Sequence, residues 1–233
     1  MPRQNLTRRS PSGHTLTASW DGAELVAEVA GVHFAGGSYG RAFQIAPSGA
    51  HDFACQFLTP ATLVARAQVR GRELRISTAT DGSVTFASLI GAHYELMTVF
   101  SGPAPAVSTI AELFAVLDVD DAAEGMTVIP QRATGLTVAG EHLVLTAADS
   151  MSVDVPAPSY ARALRPNKRG GRTRRGEVWR NRLPGRRGNR VHDFSYIVST
   201  PRGIAEVQFE DPAAVQESAA LTALDSLDVA WTG

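Results

Sequence analysis

Four runs rich in Val, Leu, Ile, Phe and Thr, at positions 62–69, 73–78, 84–90 and 92–100, are separated only by the short breaks Arg70-Gly71-Arg72, Asp81-Gly82 and Gly91. A parallel pair of strands needs a crossover of about a dozen residues or more, so breaks this short admit only hairpins and antiparallel pairing. After Ser101-Gly102-Pro103 the period changes. Thr109 and Glu112 have capping-box spacing, and Ile110, Leu113, Phe114 and Leu117 fall on one face of a helix.

The same unit recurs near the end of the chain. Residues 194–200 and 204–209 read as strands joined by the turn Pro201-Arg202-Gly203. Asp211 and Pro212 suit the N-cap and first position of a helix whose face carries Ala220, Ala223, Leu224 and Leu227. A shift of 110 positions lays 84–119 on 194–229 without a gap, and Leu117-Asp118-Val119 then meets Leu227-Asp228-Val229. Few residues are identical; the pattern of burial is what repeats, as expected of a duplication with a pseudo-twofold axis. Upstream, Trp20, Leu25, Val26 and Val29 predict a short helix over 20–30. Residues 136–148 admit either a helix or a strand.

The chain has 233 residues, 44% of them hydrophobic and 19% charged. That length can bury roughly 70–75% of its unfolded surface without a metal or disulfide staple. The single cysteine, Cys55, excludes an intramolecular disulfide and a cysteine-built metal cage. Arg8 and Arg9 are not followed by the apolar run of a signal peptide, and no stretch approaches the ~20 apolar residues of a membrane span. The expected location is therefore the cytoplasm, with no membrane partner.

Charge is uneven although its net value is only −1. Between Arg162 and Arg190 stand twelve basic residues, Arg169, Arg172, Arg174, Arg175, Arg186 and Arg187 among them, against one acid, Glu177. Removing these from the 22 basic and 23 acidic residues leaves 10 and 22 for the rest, an acidic body with a basic insert. Like charges and five glycines predict a mobile surface loop over about 166–189 that contacts nucleic acid or an acidic partner, or is simply solvated.

Catalytic patterns are largely missing. No phosphate-binding glycine loop and no paired metal-ligating histidines are present. His51, Asp52 and Cys55 invite a thiol-nucleophile reading, but Cys55 between Ala54 and Phe57 fits a small buried apolar residue better. His192, Asp193 and Ser195 on one extended segment cannot converge as a triad. Asp118, Asp120 and Asp121 read as a solvated loop rather than a metal site. The expectation is a protein that is not an enzyme and carries no cofactor and no metal.

The turn Ser199-Thr200-Pro201-Arg202-Gly203 between two strands, followed by Glu210-Asp211-Pro212-Ala213-Ala214-Val215, resembles the C-terminal half of the EspG family, the cytosolic chaperones of actinobacterial type VII (ESX) secretion. The similarity is one of order and spacing over residues 16–229. Ser199 stands where the family motif has aspartate, and Ile204 where it has arginine. The resemblance implies an α/β (α+β) fold: an antiparallel β-sheet with flanking helices, in two quasi-equivalent halves. A flexible N-terminus over 1–13 would precede halves at 14–125 and 126–233. It further implies a chaperone or adaptor that holds a helical secreted substrate, a PE–PPE-type pair or another ESX substrate, through Arg70, Gly71, Arg72 and Arg202. The rival expectations are a nucleic-acid-associated protein using the basic loop 162–190 and a phage or assembly structural subunit.

Overall fold

The structure is a computed structural model, described for residues 2–36, 39–102, 104–148, 151–210, 213 and 215–233. Among these the protein is mostly β, with seventeen strands and four short α-helices. In chain order they are β1 (Arg3–Arg9), β2 (Thr15–Asp21), β3 (Leu25–Gly36), β4 (Tyr39–Pro47), α1 (Ala50–Phe53) running into a π-helical turn (Ala54–Leu58), β5 (Ala61–Val69), β6 (Arg72–Ala79), β7 (Val84–Ile90) and β8 (Tyr94–Ser101). Next come α2 (Val107–Ala115), β9 (Leu117–Ala122), β10 (Gly125–Pro130), β11 (Thr137–Ala147), β12 (Met151–Pro156) and α3 (Pro158–Leu164). The chain ends with β13 (Gly171–Arg172), β14 (Glu177–Arg182), β15 (Phe194–Ser199), β16 (Ile204–Phe209), α4 (Glu217–Ser226) and β17 (Asp228–Thr232).

Twelve strands hydrogen-bond in the order β13-β14-β15-β16-β12-β11-β3-β4-β8-β7-β6-β5; β1, β2 and β17 form a second sheet, and β9 and β10 a hairpin. The pairing is antiparallel, as the short breaks require. The contacts group the chain into a unit of Met1–Arg8, His14–Glu28 and His142–Gly233 and a unit of Arg9–Gly13 and Val29–Glu141. This differs from halves at 14–125 and 126–233. The cause is β17, which pairs with β2 over five residues and so joins the C-terminus to residues 15–19.

In the unit built on Val29–Glu141, one face of the sheet carries the core. Phe34, Phe43, Ile45, Leu74, Ile76, Leu89 and Leu96 pack under Ile110 and Phe114 of α2 and under Leu117, Met126 and Val128 of β9 and β10. Phe43 meets Phe114 edge-on at 5.4 Å between ring centroids, a geometry the ring quadrupoles favour. In the other unit, Trp179 of β14 packs with Ala161, Ile197 and Ile204.

Several expectations are corrected. Residues 20–30 are not helical: Leu16, Ala18 and Trp20 alternate inward on β2, a period of two that a helical reading overlooks. The helix over 110–117 begins earlier, at Val107, and no side chain caps it, so Thr109 and Glu112 form no capping box; Leu117 already belongs to β9. The N-terminus is not a flexible tail, because Arg3–Arg9 is β1. Asp118, Asp120 and Asp121 lie on a strand rather than a loop. The proposed helix start at Asp211 and Pro212 lies outside the described residues; α4 itself starts at Glu217. No helix among the described residues is long and apolar enough to cross a membrane.

The repeated order does appear. Both 84–122 and 194–232 run strand, strand, helix, strand. Position pairs related by the shift of 110 also touch. The Asp121 carboxylate accepts the backbone N–H of Ala92, and the backbone N–H of Trp231 donates to the Arg202 carbonyl at 3.4 Å.

The basic stretch is the largest correction, since it is not a loop throughout. β14 pairs with β15 over six register positions, and Trp179 is 5% exposed. Replacing 166–189 by a glycine–serine linker is therefore expected to abolish the cooperative unfolding transition. Trp179→Ala alone should cost about 3–5 kcal/mol in denaturant unfolding.

Candidate functional site

Arg70, Gly71 and Arg72 form the β5–β6 turn. Arg70 and Gly71 both have positive φ, 52° and 80°, the geometry of a two-residue turn that matches strand twist. The turn leaves the backbone tight but does not leave its arginines unengaged. Arg70 donates to the Leu117 carbonyl at 3.1 Å and to the Asp118 carboxylate. Arg72 donates to the Val119 carbonyl at 3.3 Å and lies 3.9 Å from Asp121. Both side chains thus brace the hairpin against β9, around a cavity of about 360 Å³ lined by Leu89, Leu117, Val119 and Ile129 as well as the two arginines. Arg202 lies on the β15–β16 turn in the other unit, exposed, with its backbone carbonyl taken by Trp231. The structure therefore does not join Arg202 with Arg70, Gly71 and Arg72 inside one unit.

The six arginines of the basic stretch also divide. Arg174 is held by Asp225 at 2.6 Å and Asp21 at 3.0 Å. Arg169, Arg172, Arg175, Arg186 and Arg187 are exposed, with no side-chain ion pair among the described residues.

A third place was not singled out by the sequence. Among the described residues, five of the twelve exposed large apolar side chains fall within residues 53–64: Phe53, Phe57, Leu58, Leu63 and Val64. The reason is how α1 is mounted on the sheet. Buried Glu95 of β8 accepts the backbone N–H of Gly49 at 2.8 Å and of His51 at 2.7 Å, closing the first turn of the helix. His51, 2% exposed, reaches down between Ser77 of β6 and Ser88 of β7, each 2.8 Å from a ring nitrogen. Ala54 and half-buried Cys55 then face Phe86 and Met97. With small residues inward, Phe53 and Phe57 turn outward, their rings 5.1 Å apart. Phe57 and Leu58 are 64% and 66% exposed. β5, which supplies Leu63 and Val64, is the end strand of the sheet, and a bulge between Leu63 and Ala65 breaks its register.

The electrostatics there are structural in kind. Burial pushes the Cys55 thiol pKa up, away from thiolate chemistry. Burial also holds His51 below its ordinary value, against the opposing pull of Glu95 and Asp52. Both His51 nitrogens are engaged by serines, so the His51, Asp52 and Cys55 grouping of the sequence does not form as a histidine–thiol pair. Among the described residues no cluster of His, Cys, Asp or Glu could hold a metal ion.

Comparison of the chain with protein-family models, with curated proteins and with solved structures finds no match.

The His51 mount has a pH signature. An imidazole kept neutral in the folded state charges first in the unfolded one, so its contribution to stability declines as pH falls below its ordinary 6.5 toward the lowered folded value. His51→Gln should lose about 1–3 kcal/mol at neutral pH through an unsatisfied serine. The gap to the wild type should narrow as pH falls, as read from urea midpoints across pH.

Proposed function

We propose that the protein is a non-catalytic chaperone or adaptor, acting in the cytoplasm, that captures an apolar helical segment of a partner protein on the surface formed by Phe53, Phe57, Leu58, Leu63 and Val64. The observation that carries this reading is that apolar concentration, more than half-exposed at four of its five members and mounted on a buried hydrogen-bonded base. Contiguous exposed apolar surface marks interaction sites, and aromatic anchors dominate binding energy. Taking such a side chain from full exposure to full burial contributes about 1.5–3 kcal/mol. These five are 45–66% exposed, so about half of that remains to be gained, roughly 4–8 kcal/mol together, which meets the lower part of the roughly 4–15 kcal/mol that association costs. The patch can therefore anchor a partner.

A helix suits it better than an added strand. The bulge at Leu63/Ala65 and the charge of Arg66 are devices that discourage pairing along a sheet edge. A helix needs no backbone partner and can lay side chains at positions i, i+3 and i+4 over the two rings. The EspG resemblance points the same way and supplies the substrate class, a PE–PPE-type pair or another helical ESX substrate. The pseudo-twofold duplication belongs to this reading. Its support is the gapless shift of 110 and the matching element order, and superposition of 84–119 on 194–229 in a crystal of the protein is the expected result.

Co-expression with a PE–PPE-type pair should give a discrete complex. Phe57→Asp combined with Leu58→Asp should weaken it by about tenfold or more without lowering the thermal midpoint of the free protein. A complex indifferent to that double change would overturn the assignment of the surface.

A further inference from the structure

We propose that the unit containing His142–Gly233 carries a phosphate-backbone site for nucleic acid, formed by Arg162, Arg165, Lys168 and Arg169 above the indole of Trp179. The inference stands apart from the helix-capture reading, since it uses other residues of another unit.

The four cations border an open depression of about 470 Å³ that Trp179 also lines and whose only acid among the described residues is Glu177. Twelve basic residues spread from Arg162 to Arg190 can always be a solvated surface. What makes this group a site is that its backbone is fixed. The Trp179 indole N–H donates to the Lys168 carbonyl at 2.7 Å. Gly170 lies so close that a Cβ there would come within 2.8 Å of the indole ring and of the Val178 carbonyl. The same tryptophan is locked beneath by Ala161, Ile197 and Ile204. The segment linking α3 to β13 is therefore seated on a rigid core, and its cationic heads are presented rather than trailing in solvent.

The heads are also available. Arg165 approaches Glu177 at 3.5 Å, whereas no ion pair engages Arg162, Lys168 or Arg169 among the described residues. By contrast Arg174, a few residues on, is clamped between two carboxylates. Acids are plentiful in this chain, so their exclusion from the depression leaves a net local charge that an anion must balance. Phosphodiesters fit better than carboxylates on two counts. Three of the four cations are arginines, whose planar fork bonds phosphate oxygens in pairs. An open depression rimmed on several sides suits a continuous charged backbone, which releases counterions as it is neutralised.

The test is fluorescence anisotropy of a short labelled DNA duplex and of the corresponding single strand, titrated with the full protein over a series of salt concentrations. Binding of either is expected, with a log–log salt slope of about −0.9 per phosphate contacted for the duplex and about −0.7 for the single strand, up to about four contacts. Arg162→Ala with Arg169→Ala should make the duplex slope shallower by about 1.8 while leaving the unfolding midpoint in place, because neither side chain has an ion-pair partner among the described residues. Glu177→Gln should tighten binding several-fold by releasing Arg165. Arg66→Ala with Arg132→Ala removes the same charge from the other unit and should leave the slope unchanged. The proposal is overturned if neither probe binds, or if that control lowers the slope equally. It is also overturned if polyglutamate binds and DNA fails to displace it, which would make the site one for an acidic protein.

Discussion

An antiparallel sheet has two faces, and every apolar side chain on either of them needs a cover. In the unit built on Val29–Glu141 the covers are unequal. One face receives α2 and the β9–β10 hairpin and buries a continuous core through Phe34, Phe43 and Phe114. The other receives α1 and its π-helical turn, nine residues in all from Ala50 to Leu58. A segment that short cannot shield a six-stranded face. The sequence meets this by placing polar groups beneath it: Ser77, Ser88 and Glu95 occupy positions on β6, β7 and β8 that on the opposite face are filled by Ile76, Leu89 and Leu96. The polar base satisfies His51 and the helix N-terminus, and the apolar residues of the short segment are left pointing away from the sheet.

Buried carboxylates hold the short pieces in place. Glu95 accepts two backbone N–H groups at the start of α1. Asp121, on β9, accepts three from the β7–β8 turn, with His93 at 3.0 Å and Tyr94 at 3.1 Å. A desolvated carboxylate without such donors is costly, and with them its bonds are among the stronger ones in a fold. Each acid thus exchanges a solvation shell for backbone donors that are themselves unpaired in their turn or helix end. Other acids hold arginines at the surface: Asp118 holds Arg70, Asp120 holds Arg9 at 2.7 Å, and Asp225 holds Arg174.

Much of the sheet was legible because period-two alternation and short turns leave little freedom. Residues 84–90 and 204–209 are strands with the bounds the sequence implies. What was not legible depended on tertiary context. Residues 20–30 carry enough apolar residues to fit a helical face, yet β17 arrives from the far end of the chain to pair with β2, and no local signal announces it. The Arg70-Gly71-Arg72 turn was legible as a turn, but its bonds to β9 join residues about 47 positions apart and were not. The patch at residues 53–64 was hidden for the opposite reason. Phe53 and Phe57 are spaced one helical turn apart, which ordinarily marks a buried face. Here the buried face is Ala54 and His51, the small and the polar: His51 meets Ser77 and Ser88, and Ala54 alone of the segment's buried residues meets the apolar pair Phe86 and Met97.

The basic stretch shows how charge composition alone misleads. Repulsion among arginines predicts an open loop, and it does so only if nothing apolar interrupts the run. Val178 and Trp179 interrupt it. Together with Val198 and Ile197 on the neighbouring strand they place β14 in the sheet, and burial of one tryptophan is comparable in energy to several exposed like-charge contacts. Repulsion then acts on side chains whose backbone can no longer spread. Arg180 and Arg182 relieve it by lying over the Phe194 ring, each 4.7 Å from its centroid, where the quadrupole attracts a cation. Arg174 relieves it through Asp21 and Asp225. Among the described residues Arg162, Lys168 and Arg169 have neither a ring nor a carboxylate, and the Trp179–Lys168 hydrogen bond prevents the segment from moving off to find one. Among the described residues the run is therefore not uniform: Arg174, Arg180 and Arg182 are engaged by carboxylates or a ring, Arg162, Lys168 and Arg169 border one depression without either, and Arg172, Arg175, Arg186 and Arg187 are exposed away from it with no ion pair.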